Sequence, residues 1–199
     1  VILNQGTLKC WGSNQYGQLG YGDDRDKDRP TQENIPLFGE KVKQVAAGYE
    51  HTCVILEQGT LKCWGNNRYG QLGYGETNTT LPKLLKPSRK VIALQSQTVR
   101  YVCTGTRHSC VVLGNGHVKC WGDNLYGQLG YPDQKNRTAP STSSVPIQAG
   151  KARTASCQND HTCVLMEDKS IYCWGRERQG QLGHFHENPL AFPILEALP

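Results

Sequence analysis

Four segments of this chain are copies of one unit: LKCWGSNQYGQLGYG (8–22), LKCWGNNRYGQLGYG (61–75), VKCWGDNLYGQLGYP (118–132) and IYCWGRERQGQLGHF (171–185). Their tryptophans, Trp11, Trp64, Trp121 and Trp174, are spaced by 53, 57 and 53 residues. A fixed period near fifty, with glycine and aromatic residues at set places and short apolar runs between them, is the signature of β-propeller blades. Helical repeats of similar length need apolar residues at helical spacing, and these copies lack it. The period therefore predicts an all-β chain.

Composition agrees. The 22 glycines and 10 prolines, with a single Met, suit many short strands joined by turns. No stretch approaches the roughly 18 consecutive apolar residues of a membrane-spanning helix. A net charge of +5 arises from 22 basic and 17 acidic residues scattered in mixed groups such as Asp23 to Arg29. An electrostatic footprint for nucleic acid needs clustered basic residues, so this scatter does not point there. The chain opens without a Met or a charged-then-apolar leader, so any signal peptide is expected to have been removed or to lie outside it.

A second copied unit precedes the first: AAGYEHTCVILEQGT (46–60), GTRHSCVVLGNGH (105–117) and QNDHTCVLMEDKS (158–170). Together the two units read as a hairpin, with strands at Thr52 to Leu56 and Thr60 to Trp64 and the turn at Glu57-Gln58-Gly59. A three-residue hairpin loop places its last residue in the left-handed region, which favours glycine. Gly59 and Gly116 occupy that place. Lys169 occupies it in the fourth copy, so that turn is either strained or of another type.

The same register makes a statement about cysteine. With the loop at 57–59, Cys53 faces Cys63 at a non-hydrogen-bonded site, where opposed α-carbons approach to about 4.5 Å. A cross-strand disulfide fits there, and the count also pairs Cys110 with Cys120 and Cys163 with Cys173. Cys103 and Cys157 stand at near-equivalent places in successive copies, which predicts a blade-to-blade bridge. Cys10 is left over. Because VILNQGTLKC (1–10) matches VILEQGTLKC (54–63), its partner is expected immediately before Val1. Zinc ligands usually come as pairs two to four residues apart, and no such cysteine pair exists here, so no metal or other cofactor is expected. Four bridges imply an oxidising compartment. Two sequons, at Asn78 and Asn136, agree with a secretory route.

The string GYEHTCVILEQGTLKCWGNNRYGQLGYG (48–75) resembles the repeat of the regulator of chromosome condensation family, with its Gly-x-x-His-Thr strand, Trp-Gly turn and Tyr-Gly-Gln-Leu-Gly segment. The resemblance spans nearly the whole chain and is greatest to the cysteine-containing extracellular branch, in which Cys precedes Trp-Gly. It implies a propeller, commonly of seven blades, of which this chain carries about four repeats, at approximately 1–45, 46–102, 103–155 and 156–199. Rings close at roughly four to eight blades. The tail Ala191 to Pro199 is similar to the lead-in at 143–150, so a further blade is expected to follow; a tight four-bladed ring is the alternative.

Several residues invite a chemical reading. His51, His108 and His161 recur before Thr-Cys or Ser-Cys. A catalytic site needs different residues converging on one point, so a histidine repeated in every blade reads as a buried structural group hydrogen-bonded to backbone. The four tryptophans could stack sugars or bases, but beside a disulfide they read as inter-blade packing. Tyr16, Tyr69 and Tyr126 read as packing too. The Gly-Gln-Leu-Gly segments lack the following Lys-Ser or Lys-Thr of a phosphate loop. Asp24, Asp26 and Asp28 alternate as in a calcium loop, yet Arg25, Lys27 and Arg29 interleave them and no closing Glu follows, so a solvated loop is expected. No Ser, His and Asp grouping can be assembled, and the chain is read as non-enzymatic.

The copies differ in the loops 22–36, 74–90 and 131–147. Variable loops on a rigid scaffold are where binding residues collect. Tyr74, Arg89, Tyr131 and Arg137 are the anchors this pattern proposes, aromatic residues and arginine being the usual ones. The reading is a secreted or surface-displayed protein-interaction scaffold. Two alternatives stand beside it: an inhibitor of a secreted enzyme, since the resemblance includes a secreted propeller that blocks β-lactamases, and a glycan-binding propeller. The namesake's nuclear role in nucleotide exchange fits badly with these cysteines.

Overall fold

The computed structural model describes residues 1–76, 82–147 and 150–183. Among them it contains ten strands and no helix: β1 (Val42–Ala47), β2 (His51–Leu56), β3 (Leu61–Asn66), β4 (Lys83–Leu84), β5 (Val99–Thr104), β6 (His108–Leu113), β7 (Val118–Gly122), β8 (Ala152–Gln158), β9 (His161–Met166) and β10 (Ile171–Gly175). They form three antiparallel meanders, β1-β2-β3-β4, β5-β6-β7 and β8-β9-β10. Residues 1–41 supply the outer part of a preceding blade through the bridges Ile2 to Leu8 and Gly12 to Lys27. The sequon at Asn78 and the tail 191–199 lie outside the described residues.

Each meander begins four residues ahead of the corresponding sequence repeat, at Val42, Ala152 and Val99 rather than at 46, 156 and 103. The first strands β1, β5 and β8 meet one another across successive blades, which places them innermost, around the propeller axis. Segments 22–41, 85–98 and 138–147 run back along the outer flank, where Ile35, Ile92 and Val145 donate backbone bonds to the carbonyls of Leu8, Leu61 and Val118.

Hydrophobic residues sit on both faces of the middle strands, so β2 and β6 are buried along their whole length. Along β6, Val111 and Leu113 face the preceding blade with Trp121, while Cys110 and Val112 face the following one. Three clusters result, one in each joint between blades. Trp64, Trp121 and Trp174 are fully buried there. Burying about 200 Å² of indole is worth roughly 5 kcal/mol at 25 cal/mol per Å², which makes these side chains the largest single contributors to the joints.

The hairpin register is the one the loop count gives. Leu56 N donates to Thr60 O, and Cys53 pairs with Cys63, Cys110 with Cys120 and Cys163 with Cys173. Each pair is joined by a disulfide at a Cα separation of 4.1 Å, and Cys103 of β5 is joined to Cys157 of β8 at 5.4 Å. The last bond ties two innermost strands together. Gly59 (φ 82°) and Gly116 (φ 85°) are left-handed, and Lys169 adopts the same conformation at φ 77°. The fourth-copy turn is therefore of the same type and carries the strain of a side chain where glycine belongs.

A further regularity lies in the innermost strands. The pairing with the next strand slips between Val42 and Gln44, between Val99 and Tyr101, and between Ala152 and Thr154. Each blade thus has a β-bulge at one equivalent place, carrying Lys43, Arg100 or Arg153 as the extra residue.

Candidate functional site

The antiparallel register brings the start of each second strand beside the end of each third, since His51 pairs with Gly65, His108 with Gly122 and His161 with Gly175. The loops before the histidines and those after Trp-Gly therefore share one end of the propeller. What holds this end together is a repeated latch. The carbonyl of Gln71 accepts from both the Trp121 indole (2.9 Å) and the Ser109 hydroxyl (2.9 Å) of the next blade. Ser109 Oγ in turn lies 2.9 Å from His51 Nε2. The following joint repeats this with Gln128, Trp174, Thr162 and His108, and the preceding one has Gln18, Trp64 and Thr52.

Proton accounting fixes the tautomer. The hydroxyl has one proton and gives it to the glutamine carbonyl, so the imidazole must donate from Nε2. Nδ1 then carries a bare lone pair, and in both His51 and His108 it is buried without a partner. Burial pushes the two imidazoles down to about 4 and about 3, and His161, half-buried, is lowered by the same cause. His51 and His108 are structural, but they bond to a neighbouring blade's hydroxyl rather than to backbone. The second glycine of each Gly-Gln-Leu-Gly segment completes the latch: a Cβ on Gly20, Gly73 or Gly130 would stand 2.5–2.6 Å from the next blade's indole nitrogen.

Above the latches lies the exposed surface. Arg107 stacks on Tyr69 of the preceding blade at 4.7 Å, and Arg176 stacks on Tyr126 at 5.0 Å. Arg176 also reaches Asp160 at 3.2 Å. Tyr49 and Leu125 project from the same end at 74% and 61% exposure. A hollow of about 380 Å³ opens between two blades, lined by Arg107, Asp123, Leu125, Tyr126, Asp160 and Arg176. Burial raises the Asp123 carboxyl pKa, with the Arg107 charge opposing. Exposed aromatic and arginine side chains on an otherwise fixed framework are the residue types enriched at protein-binding surfaces.

The residues named from the variable loops lie elsewhere. Tyr131 is 3% exposed, its hydroxyl donating to Ser143 O and accepting from Cys120 N. The Tyr74 hydroxyl likewise donates to Cys63 O and accepts from Cys63 N. Both phenols hold a strand and are not surface anchors; the reason is that the Gly-Tyr pair still belongs to the repeated framework. Arg137 forks onto Asp133 at 3.0 Å and stacks on Tyr131 at 4.0 Å. Arg89 is exposed and stacks on Phe38 at 4.3 Å. Asn136 is exposed, while its Oδ1 accepts from Asn124 N. Asp24 pairs with Lys83 and Asp26 accepts from Asn14 N, so these carboxylates point to different partners. The tightest gathering of metal-ligand groups among the described residues is His108, Cys110 and Cys157, within 4.8 Å. Both sulfurs are consumed in disulfides, leaving no thiolate to coordinate an ion.

The chain matches the Regulator of chromosome condensation (RCC1) repeat over residues 5–55, 58–112 and 115–165, with a second model of the same repeat matching 42–71, 99–128 and 156–181. It belongs to the regulator of chromosome condensation repeat family. Within the RCC1 family it is 35% identical over 191 residues to the ultraviolet-B receptor UVR8 of Arabidopsis thaliana, covering 92% of this chain and 40% of that protein. It is 35% identical over 176 residues to the probable E3 ubiquitin-protein ligase HERC4 of Homo sapiens, covering 87% of this chain and 16% of that protein. The chain thus spans less than half the length of these RCC1 relatives. In fold it superposes on Prp20p from Saccharomyces cerevisiae with a TM-score of 0.79 at 20% identity, over 97% of this chain and 46% of that one. Two of the RCC1 matches begin at 42 and 99, where innermost strands begin, while the third begins at 156, within β8.

Proposed function

We propose that this chain is part of a secreted or surface-displayed interaction scaffold that takes a protein partner on the end bearing Tyr49, Arg107, Leu125 and Arg176. The observation that carries the reading is the stacking of Arg107 and Arg176 on tyrosines of the preceding blade, which holds two long side chains in place before a partner arrives. Ordering a free arginine on binding costs about 1 kcal/mol, and the stacks have already met that cost. The oxidising compartment rests on four disulfides and on the exposure of Asn136 within its sequon. Prp20p is described with binding properties to Gsp1p and histones, an instance of a related propeller acting by binding protein.

The test compares the chain with two variants against an array of extracellular proteins. One variant carries Tyr49→Ala, Arg107→Ala and Leu125→Ala, and the other carries Arg89→Ala and Arg137→Ala on the outer flank. Binding lost with the first and kept with the second is the expected result. Equal loss in both, or binding indifferent to both, overturns the assignment of this end. Expression through a secretory pathway should also give a glycosidase-sensitive mass increment that Asn136→Gln reduces.

A further inference from the structure

The opposite end of the propeller carries a feature that the linear sequence disperses. Lys43, Arg100 and Arg153 are separated by 57 and 53 residues, the same intervals as Trp64, Trp121 and Trp174. In the fold each is the extra residue of a β-bulge on an innermost strand, and each is exposed. Because β1 adjoins β5 and β5 adjoins β8, the period collects three cations into an arc at one end of the innermost strands. Charges scattered along the chain are thus gathered in three dimensions, because a repeat brings together what lies far apart in sequence.

A bulge leaves its extra residue outside the ladder, and in all three blades that residue is exposed. Placing a cation there in each of three blades has a cost in mutual repulsion. The neighbouring charges only partly relieve it. Arg100 reaches Glu167 at 3.3 Å, both side chains being about half exposed (47% and 51%), whereas Lys43 and Arg153 have no ion pair among the described residues. Lys41, Lys151 and Lys169 add to the same end, where the acids are Glu40, Glu57, Glu167 and Asp168. Glu40 is held by Lys62 and Gln58, and Asp168 accepts from Ser170. Lys43 and Arg153 are left facing solvent, and Arg100 keeps its exposed pairing with Glu167.

We infer that the arc of Lys43, Arg100 and Arg153 binds a linear polyanion, a sulfated polysaccharide. Regular spacing from blade to blade suits a ligand with regularly repeated charge. A peptide partner needs a buried aromatic or arginine anchor, and single-stranded nucleic acid needs exposed aromatic faces for stacking. The bulges offer no aromatic face, since Tyr101, beside Arg100, packs against the core, and Arg100 and Arg153 lie exposed rather than in a pocket that would bury them as anchors. The choice of sulfate ester over phosphate rests on the extracellular reading proposed above; the cationic arc does not.

The test is binding of heparin oligosaccharide to the chain, by calorimetry across a salt series. The bulge variant carries Lys43→Gln, Arg100→Gln and Arg153→Gln. A control with the same change in net charge carries Arg29→Gln, Lys86→Gln and Arg178→Gln. The expected result is an affinity loss of at least about tenfold and a shallower salt dependence for the bulge variant, with the control within about twofold of the parent. Equal losses in the two variants would mean diffuse attraction to net charge and overturn the site. Tighter binding of single-stranded DNA of equal charge overturns the sulfated ligand while keeping the arc. Neither outcome bears on the Tyr49 end, whose variants leave these cations untouched.

Discussion

His51 Nε2 lies 2.9 Å from Ser109 Oγ, and the two residues belong to neighbouring blades. The hydroxyl passes its own proton to Gln71 O, so the bond joins three parts of the fold: a second strand, the next second strand, and the glutamine turn between them. It makes the joint between blades sensitive to proton concentration.

His51 and His108 are held neutral by burial, with folded values of about 4 and about 3 against an ordinary 6.5. A depressed folded pKa means that the unfolded chain takes up protons first, so stability is full above pH 6.5 and falls as pH drops through it towards 4. The slope is about 1.4 kcal/mol per pH unit for each histidine. Urea midpoints measured at pH 7.5 and 5.0 should show the decrease. His51→Gln and His108→Gln should flatten it; a slope unchanged in the double variant would remove the histidines as its source.

Ser109→Ala takes away the hydroxyl that serves both His51 and Gln71 and leaves a buried imidazole N–H unpaired, which costs about 1–3 kcal/mol. Ser109→Thr should be near neutral, because Thr52 and Thr162 fill the equivalent place in the other joints. Chemical denaturation of the two variants gives the comparison directly. Equal destabilisation by both would show that shape, not the hydroxyl, matters at this position.

Two substitutions at left-handed positions should act in opposite directions. In Gly73→Ala the new methyl would lie 2.6 Å from Trp121 Nε1 on a backbone at φ +80°, costing about 3 kcal/mol. Lys169→Gly relieves a left-handed lysine at φ 77° and should stabilise by about 0.5–1 kcal/mol. Thermal melts suffice, and a Gly73→Ala protein as stable as the parent would remove the close indole approach from the account of the joint.

Removing a long-range bridge should cost more than removing a hairpin bridge. Cys103 and Cys157 are 54 residues apart and the other pairs 10 apart, which on loop-closure entropy corresponds to about 4 against about 3 kcal/mol. Pairwise Cys→Ser variants compared in urea measure the order. The unreduced chain should expose a single titratable thiol, Cys10, reacting slowly because burial raises its pKa. Three or more thiols would refute the disulfide framework.

The hairpins, their left-handed turns and the facing cysteines were legible because each repeats as a motif and because loop length sets register. The innermost strands were not, since VKQVAA, VRYVCT and ARTASCQ share no string and are recognised only by what they pair with. The same blindness hid the surface: Tyr49, Arg107 and Leu125 sit in framework loops, where repetition suggested packing, while the variable loops returned along the flank and buried Tyr131. Position relative to a neighbouring blade is a property of the assembled ring. In the sequence it left a trace in the near-equivalent places of Cys103 and Cys157, and an unread one in the recurrence of cations at the repeat interval.

The close fit of each indole against the second glycine of the preceding Gly-Gln-Leu-Gly has an evolutionary consequence. The second and third copies each carry a plug on one flank and the matching socket on the other, so a copied unit brings with it both halves of this contact. Growth of such a chain by tandem duplication then requires each new joint to keep this fit together with the buried cluster around it, and divergence falls on the loops outside the joints.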